Sequence, residues 1–99
     1  MLNITKTRDN SRLSVALEGR LDTATAPQLE ESLSGELDNI TQLTIDLKSL
    51  DYISSAGLRV LLSCQKKMMK QGEMIVCNPN EVITEIFEVT GFTDILTIK

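Results

Sequence analysis

Two adjacent serines, Ser54 and Ser55, stand where a strand-like run gives way to a helix-like run. Apolar and polar residues alternate over Leu43–Leu47, whereas apolar residues from Leu58 onward recur at spacings of three and four. A small hydroxyl residue at such a turn caps the first helical N–H groups. Those N–H groups and the positive end of the helix dipole also favour an anion such as phosphate. Each serine is therefore either a cap or a residue that receives a phosphate.

Catalysis by these serines is disfavoured by the rest of the sequence. The chain has no histidine, so a Ser-His-Asp relay cannot be built. The segment Ser54–Gly57 lacks the leading glycine of a nucleophile elbow. Neither the dinucleotide glycine pattern nor a Walker lysine motif occurs. We therefore expect a protein that is not an enzyme and that holds no nucleotide cofactor.

Carboxylates and thiols offer no clear metal site. Asp46 is expected to face outward from a strand or to support a loop, and Asp51 to lie in a turn. Asp22 precedes a predicted helix and either braces its loop or takes part in function. Cys64 and Cys77 form neither a metal spacing nor a disulfide framework, and we predict that both are buried free thiols. No metal and no cofactor is expected.

Composition limits the class of partner. A chain of 99 residues with 41% hydrophobic content predicts one domain, residues 1–99. The net charge of -4 and the 3% aromatic content argue against nucleic-acid binding, because a basic surface and stacking platforms are missing. No apolar segment approaches the roughly 20 residues of a membrane span, and no signal-peptide core is visible. These features predict a cytoplasmic protein without membrane contact that is a monomer when free.

Strand and helix signals alternate along the chain. Strands are predicted at Met1–Lys6, Leu13–Leu17, Leu43–Leu47, Met74–Cys77 and Ile95–Ile98, and the continuous apolar run of the fourth suggests a strand covered on both faces. The first predicted helix has capping-box spacing at Thr25 and Gln28, the second reaches about Gln71 with Gly72 as its C′ residue, and the third lies between Asn80 and Gly91. Two predicted apolar groups are the core methionines Met68, Met69 and Met74, and the helical band Val82, Ile83, Ile86, Phe87 and Val89.

This alternation predicts an α/β fold. We expect a mostly parallel sheet of four to five strands with an N-terminal antiparallel edge strand, packed with three or more helices. Functional loops of such sheets gather beyond the carboxyl ends of the strands. Asp22 and the Ser54–Ser55 pair are therefore expected to be neighbours in space.

Three segments of the chain resemble the STAS domain, and more narrowly the bacterial anti-sigma factor antagonists. They are Leu47–Leu62 around the serine pair, Glu18–Ala26 around Asp22, and Val89–Leu96 near the end of the chain. The resemblance implies a small α/β domain without catalytic activity. It also implies binding to an anti-sigma factor that is a serine/threonine kinase.

The same resemblance assigns roles to individual residues. The kinase would phosphorylate Ser55, two residues before the glycine, and so dissociate the complex, while a PP2C-type phosphatase would restore binding. The family often has aspartate immediately before the acceptor. This chain has Ser54 there instead, and its hydroxyl is a second candidate acceptor. The implied partner-binding residues are Asp22, Thr23, Ser54, Ser55, Gly57 and Arg59. An alternative stays open, since similar single STAS domains serve as non-switching subunits of lipid or anion transport systems.

Overall fold

The computed structural model describes residues 2–99, which form five strands and three α-helices. The strands are β1 (Leu2–Asp9), β2 (Arg12–Leu21), β3 (Gln42–Ile53), β4 (Glu73–Cys77) and β5 (Thr97–Ile98). The helices are α1 (Ala26–Leu33), α2 (Ser55–Met69) and α3 (Glu81–Thr90), and a short 3-10 helix covers Phe92–Asp94. Every predicted element is present in this range. Met1, which we placed in the first strand, lies outside the described residues.

The strands form a single sheet in the order β1-β2-β3-β4-β5. β1 is antiparallel to β2, and the remaining neighbours are parallel. Each parallel pair is joined through one of the three helices. The predicted α/β domain with an antiparallel edge strand is therefore confirmed, and the carboxyl ends of β2 and β3 lie at the same edge of the sheet.

Only one face of this sheet is buried. The buried side chains are Leu13, Val15 and Leu17 of β2, Leu43, Ile45 and Leu47 of β3, and Met74 and Val76 of β4. The alternating positions on the other face are exposed or half-buried, and they include Ile75 and Cys77. The prediction that β4 is covered on both faces is wrong, because the helices pack together on the opposite face from these two side chains.

The helices bury narrower apolar stripes than the sequence suggested. Met68 and Met74 are buried as predicted, but Met69 is 71% exposed, because it lies beyond the stripe that α2 turns toward the sheet. In α3 only Ile83 and Phe87 are fully buried, with Ile86 at the edge of the core. The predicted apolar band of α3 is therefore too wide, since its outer members Val82 and Val89 face solvent.

β3 extends further than its apolar alternation indicated. Its ladder with β2 continues to the pairs Arg20–Tyr52 and Leu21–Ile53, after register shifts within β2. Asp51 therefore lies in the strand, and its prediction as a turn residue is wrong. Asp46 has the predicted supporting role, because its Oδ1 accepts hydrogen bonds from the Lys48 N–H and the Asn78 side-chain amide.

Helix ends follow the sequence signals only in part. Asn80 caps α3 by accepting a 2.8 Å hydrogen bond from the Ile83 N–H, and Gly91 ends that helix at a φ of 79°. Thr25 is at the N-cap position of α1 but makes no side-chain cap bond, and Gln28 donates instead to the Leu2 carbonyl. The capping box is therefore a wrong prediction. Gly72 is not left-handed either; a Cβ there would meet the Thr41 carbonyl.

The two thiols differ in their surroundings. Cys64 is buried, as predicted, whereas Cys77 is half-buried on the open side of the sheet. Burial raises the pKa of the Cys64 thiol to about 11. Desolvation, followed by the nearby Asp46 charge, also raises the pKa of Cys77. Both thiols are free.

Candidate functional site

The serine pair forms the turn between β3 and α2, and its two members have different environments. Ser54 is half-buried at the N-cap position, where its Oγ accepts a hydrogen bond from the Gly57 N–H at 3.5 Å. Ser55 is the exposed first residue of α2. Its hydroxyl makes no side-chain hydrogen bond to any residue from 2 to 99. The structure thus uses Ser54 to start the helix and leaves the Ser55 hydroxyl open to solvent.

Gly57 allows α2 to begin close against the sheet. A Cβ on Gly57 would lie 2.7 Å from Leu21 Cγ and 2.8 Å from Ile53 Cγ1, both in fully buried side chains. Gly57 is itself buried. Its place among the partner-binding residues stays a prediction. What the structure shows for Gly57 is that its lack of a side chain sets the position of the serine turn.

Asp22 braces the loop between β2 and α1. Its Oδ1 accepts hydrogen bonds from the N–H groups of Ala24 at 3.0 Å and Thr25 at 3.1 Å. The Thr25 N–H bond is the main reason that the pKa of Asp22 is lowered. The nearby Arg20 guanidinium adds a smaller effect in the same direction. Of the two roles left open for Asp22, the bracing role is therefore present in the structure.

The Asp22 loop and the serine turn are neighbours, as the topology predicted. The Ser54 N–H donates a 2.9 Å hydrogen bond to the Leu21 carbonyl, one residue before Asp22. Beyond this junction, α1 and α2 enclose a groove of about 350 Å³ whose lining includes Thr23 from the loop and Arg59 from α2. Both of these side chains are exposed. Two of the predicted partner-binding residues, Thr23 and Arg59, therefore line one groove, and Ala56, the residue after the serine pair, lines it as well.

Next to the Asp22 loop lies a stacked pair of side chains that the sequence did not predict. The Arg20 guanidinium lies 4.8 Å from the centre of the Tyr52 ring, and its Nε is 3.8 Å from Asp22 Oδ2. This stack joins the end of β3 to the β2–α1 loop. The two residues face each other only because of the register of β2 and β3, so spacing along the chain could not reveal them.

Between residues 2 and 99, no group of three or more His, Cys, Asp or Glu side chains is placed to hold a metal ion. Over the same range, no helix has the length and apolar content required to span a bilayer. What the arrangement does offer is a solvent-facing hydroxyl at the start of a helix, beside a groove with polar edges.

Comparisons with known proteins identify relatives that match nearly the whole chain. A family model described as the STAS domain matches residues 3–99. BtrV of Bordetella bronchiseptica, a candidate anti-sigma factor antagonist, is 36% identical over 98% of this chain and 85% of its own length. The anti-sigma-B factor antagonist of Listeria monocytogenes is 32% identical over 95% of this chain and 84% of its own length.

Solved structures show the same fold. An anti-sigma factor antagonist from Mycobacterium paratuberculosis superposes with a TM-score of 0.89 at 22% identity, over 99% of this chain and 85% of the other. The Bacillus protein SpoIIAA in its phosphorylated form has a TM-score of 0.76 at 17% identity, over 98% of this chain and 91% of the other. At these identities the likeness concerns the fold.

Proposed function

The chain belongs to the STAS-domain family of anti-sigma factor antagonists, and we propose that it binds an anti-sigma factor kinase through the surface around Ser55. Its relatives belong to a class of binding proteins without catalytic activity, which agrees with the expectation that this chain is not an enzyme. In this scheme the unphosphorylated chain binds the kinase and the phosphorylated chain releases it. Both events take place in the cytoplasm, where kinase and ATP are available.

The observation that carries this proposal is the position of the Ser55 hydroxyl. Ser55 is exposed at the first residue of α2, while Ser54 satisfies the capping role beside it. A kinase therefore reaches Ser55 without disturbing the start of the helix. Ser54 is the poorer acceptor, because modifying its Oγ would compete with its bond to the Gly57 N–H.

The modification is a phosphoryl transfer from ATP. The Ser55 oxygen forms a bond to the γ-phosphorus while the bond to the bridging oxygen of ADP breaks, and the hydroxyl proton passes to a base of the kinase. A PP2C-type phosphatase reverses the change by transferring the phosphoryl group to water, which regenerates the serine hydroxyl and inorganic phosphate. Both steps need enzymes other than this chain.

Phosphate at this position is compatible with the fold but not with a closely packed partner. It adds about -1.5 to -2 charge, which the N-terminus of a helix tolerates well. Burying the same charge without a partner costs several kcal/mol, and about 1.4 kcal/mol already weakens binding tenfold. The phosphate therefore blocks docking locally, without a long-range conformational change.

The test needs the kinase partner in purified form. The unmodified chain serves as bait, the serine kinase that it captures is identified by mass spectrometry and purified, and calorimetry gives its affinity for each variant. We expect Ser55→Ala to remove labelling by kinase and ATP, and Ser55→Asp to weaken binding at least tenfold without a large change in melting temperature. Ser14→Asp, on the open sheet face, is the control and should bind normally.

Three results would contradict the proposal. Wild-type labelling of Ser55→Ala would place the acceptor elsewhere, and unchanged affinity of Ser55→Asp would remove the blocking mechanism. Co-purification with a transporter permease and its ATPase, without any phosphate on the chain, would instead favour the non-switching transport subunit.

A further inference from the structure

We infer that Arg59 is the internal counter-ion for a phosphate on Ser55, so that modification withdraws a cation from the docking surface as well as adding an anion. The inference rests on the proposed modification of Ser55 and extends it to a second residue. In the unmodified chain Arg59 is exposed beside Thr23. In the modified chain it would be held over the first turn of α2.

Helix geometry places the two residues side by side. Ser55 is the first residue of α2 and Arg59 lies four positions later in the same helix. Side chains at this spacing are neighbours on the helix surface, with about 5–6 Å between their Cβ atoms. An acidic group placed four residues before a basic one is the favourable orientation of such a pair. Both side chains are exposed, so neither is held away from the other by packing.

Arg59 is free to take this role. Three other basic side chains form ion pairs, namely Lys6 with Glu36, Arg20 with Asp22, and Lys67 with Asp38. Arg59 forms no ion pair and no side-chain hydrogen bond with residues 2–99. Glu30 lines the same groove from α1 but is beyond ion-pair distance. The first turn of α2 has no acidic residue that could compete.

The hydrogen-bonding groups of phosphoserine and arginine are complementary. A phosphoserine presents three strong acceptor oxygens, and a guanidinium presents a planar fork of N–H donors that binds two of them at once. Such a pair stabilises the doubly charged phosphate over the singly charged one. The second ionisation of the phosphate is therefore a direct readout of the proposed contact, since the cation lowers its pKa.

The experiment installs phosphoserine at position 55 by genetic code expansion, so that no kinase is required. Phosphorus-31 NMR then follows the second ionisation of the phosphate in the otherwise wild-type chain and in Arg59→Gln, Arg59→Lys and Lys66→Gln. Lys66 is the matched control, because it is an exposed cation that lies about 16 Å from Ser55 along the axis of the same helix. Its replacement changes the net charge by the same amount as Arg59→Gln.

We expect the pKa of the phosphate in Arg59→Gln to be about 0.3 pH unit higher than in the wild-type sequence. Arg59→Lys and Lys66→Gln should remain near the wild-type value. The other charged groups around the turn, Glu30, Asp51 and the Arg20–Asp22 pair, are present in every variant and cancel in the comparison.

Equal values for Arg59→Gln and Lys66→Gln would overturn the inference. A second readout is the proton on the Arg59 Nε, whose NMR signal should move downfield when Ser55 carries phosphate; an unchanged signal would overturn it as well. Failure of a kinase to label Ser55 would affect the proposed function alone, because the phosphoserine in this experiment is built in during synthesis.

Discussion

The carbonyl of Leu21 accepts a 2.9 Å hydrogen bond from the N–H of Ser54. Leu21 also pairs with Ile53 in the β2–β3 ladder, so this bond continues the ladder into the cap of α2. The serine turn is therefore held by two strands and is not carried on a free loop. If the proposed partner docks here, a turn fixed in this way loses little conformational freedom on binding.

The close approach of α2 to these strands makes Gly57→Ala a sensitive test of the junction. The new methyl group would overlap the buried Leu21 and Ile53 side chains, which outweighs the higher helix propensity of alanine. We expect the free energy of unfolding to fall by about 1–3 kcal/mol in urea denaturation. Ser63→Ala, at an exposed position of the same helix, should change it by less than about 0.5 kcal/mol. Equal stability of the two variants would show that the junction is loosely packed.

The division of roles between the two serines predicts different stabilities for their alanine variants. Ser54→Ala removes the cap and should lower the free energy of unfolding by about 0.5–1 kcal/mol, at the lower end for caps because the bond is long. Ser55→Ala should be within about 0.5 kcal/mol of wild type. Ser54→Asp should keep its stability, since aspartate is also a good cap. A larger loss in Ser55→Ala than in Ser54→Ala, measured by urea denaturation, would reverse the assignment.

The sequence was sufficient to predict the sheet topology and the proximity of the Asp22 loop to the serine turn. Alternating strand and helix patterns imply parallel neighbours, and parallel strands bring their carboxyl ends to one edge. The proximity of the Asp22 loop and Ser54 follows from that rule alone. The family resemblance covered the same two segments, so it and the topology both indicated the Asp22 loop and the serine turn.

The sequence could not predict features that depend on strand register or on which face of the sheet the helices cover. The Arg20–Tyr52 stack requires the exact pairing of β2 with β3, and that pairing changes register within β2. The open sheet face was missed because the apolar run of β4 is the same whether one face or two are covered. Met69 was misassigned for a similar reason, since spacing gives the width of a helical stripe only to about one residue.

The two cysteines should differ in reactivity toward a thiol reagent. Cys64 is 6% exposed and has a pKa of about 11, so very little reactive thiolate is present near neutral pH. Cys77 is half-buried and should react first in the folded protein. In Cys77→Ser, we expect the remaining thiol to react with Ellman's reagent only slowly until urea is added. Rapid reaction of that variant without urea would show that the packing around Cys64 opens in solution.

The lowered pKa of Asp22 predicts how one carboxylate contributes to acid stability. Its main cause is the hydrogen bond from the Thr25 N–H, which favours the charged form in the folded state. Because the folded pKa lies below the unfolded value, this contribution is fully present above about pH 4 to 5 and is lost as the pH falls through the folded pKa. Asp22→Asn keeps an acceptor oxygen but removes the charge.

The difference in melting temperature between wild type and Asp22→Asn should therefore be constant from pH 7 to about pH 5 and should shrink below about pH 4. The control is Asp51→Asn, because the exposed Asp51 carboxylate forms no ion pair and accepts no side-chain hydrogen bond from residues 2–99. A difference that persists unchanged to pH 2.5 for Asp22→Asn would mean that the loop is braced by hydrogen bonding irrespective of charge. The protonated carboxyl would then brace the loop as well as the carboxylate does, and the stabilising role assigned here to the charge of Asp22 would be wrong.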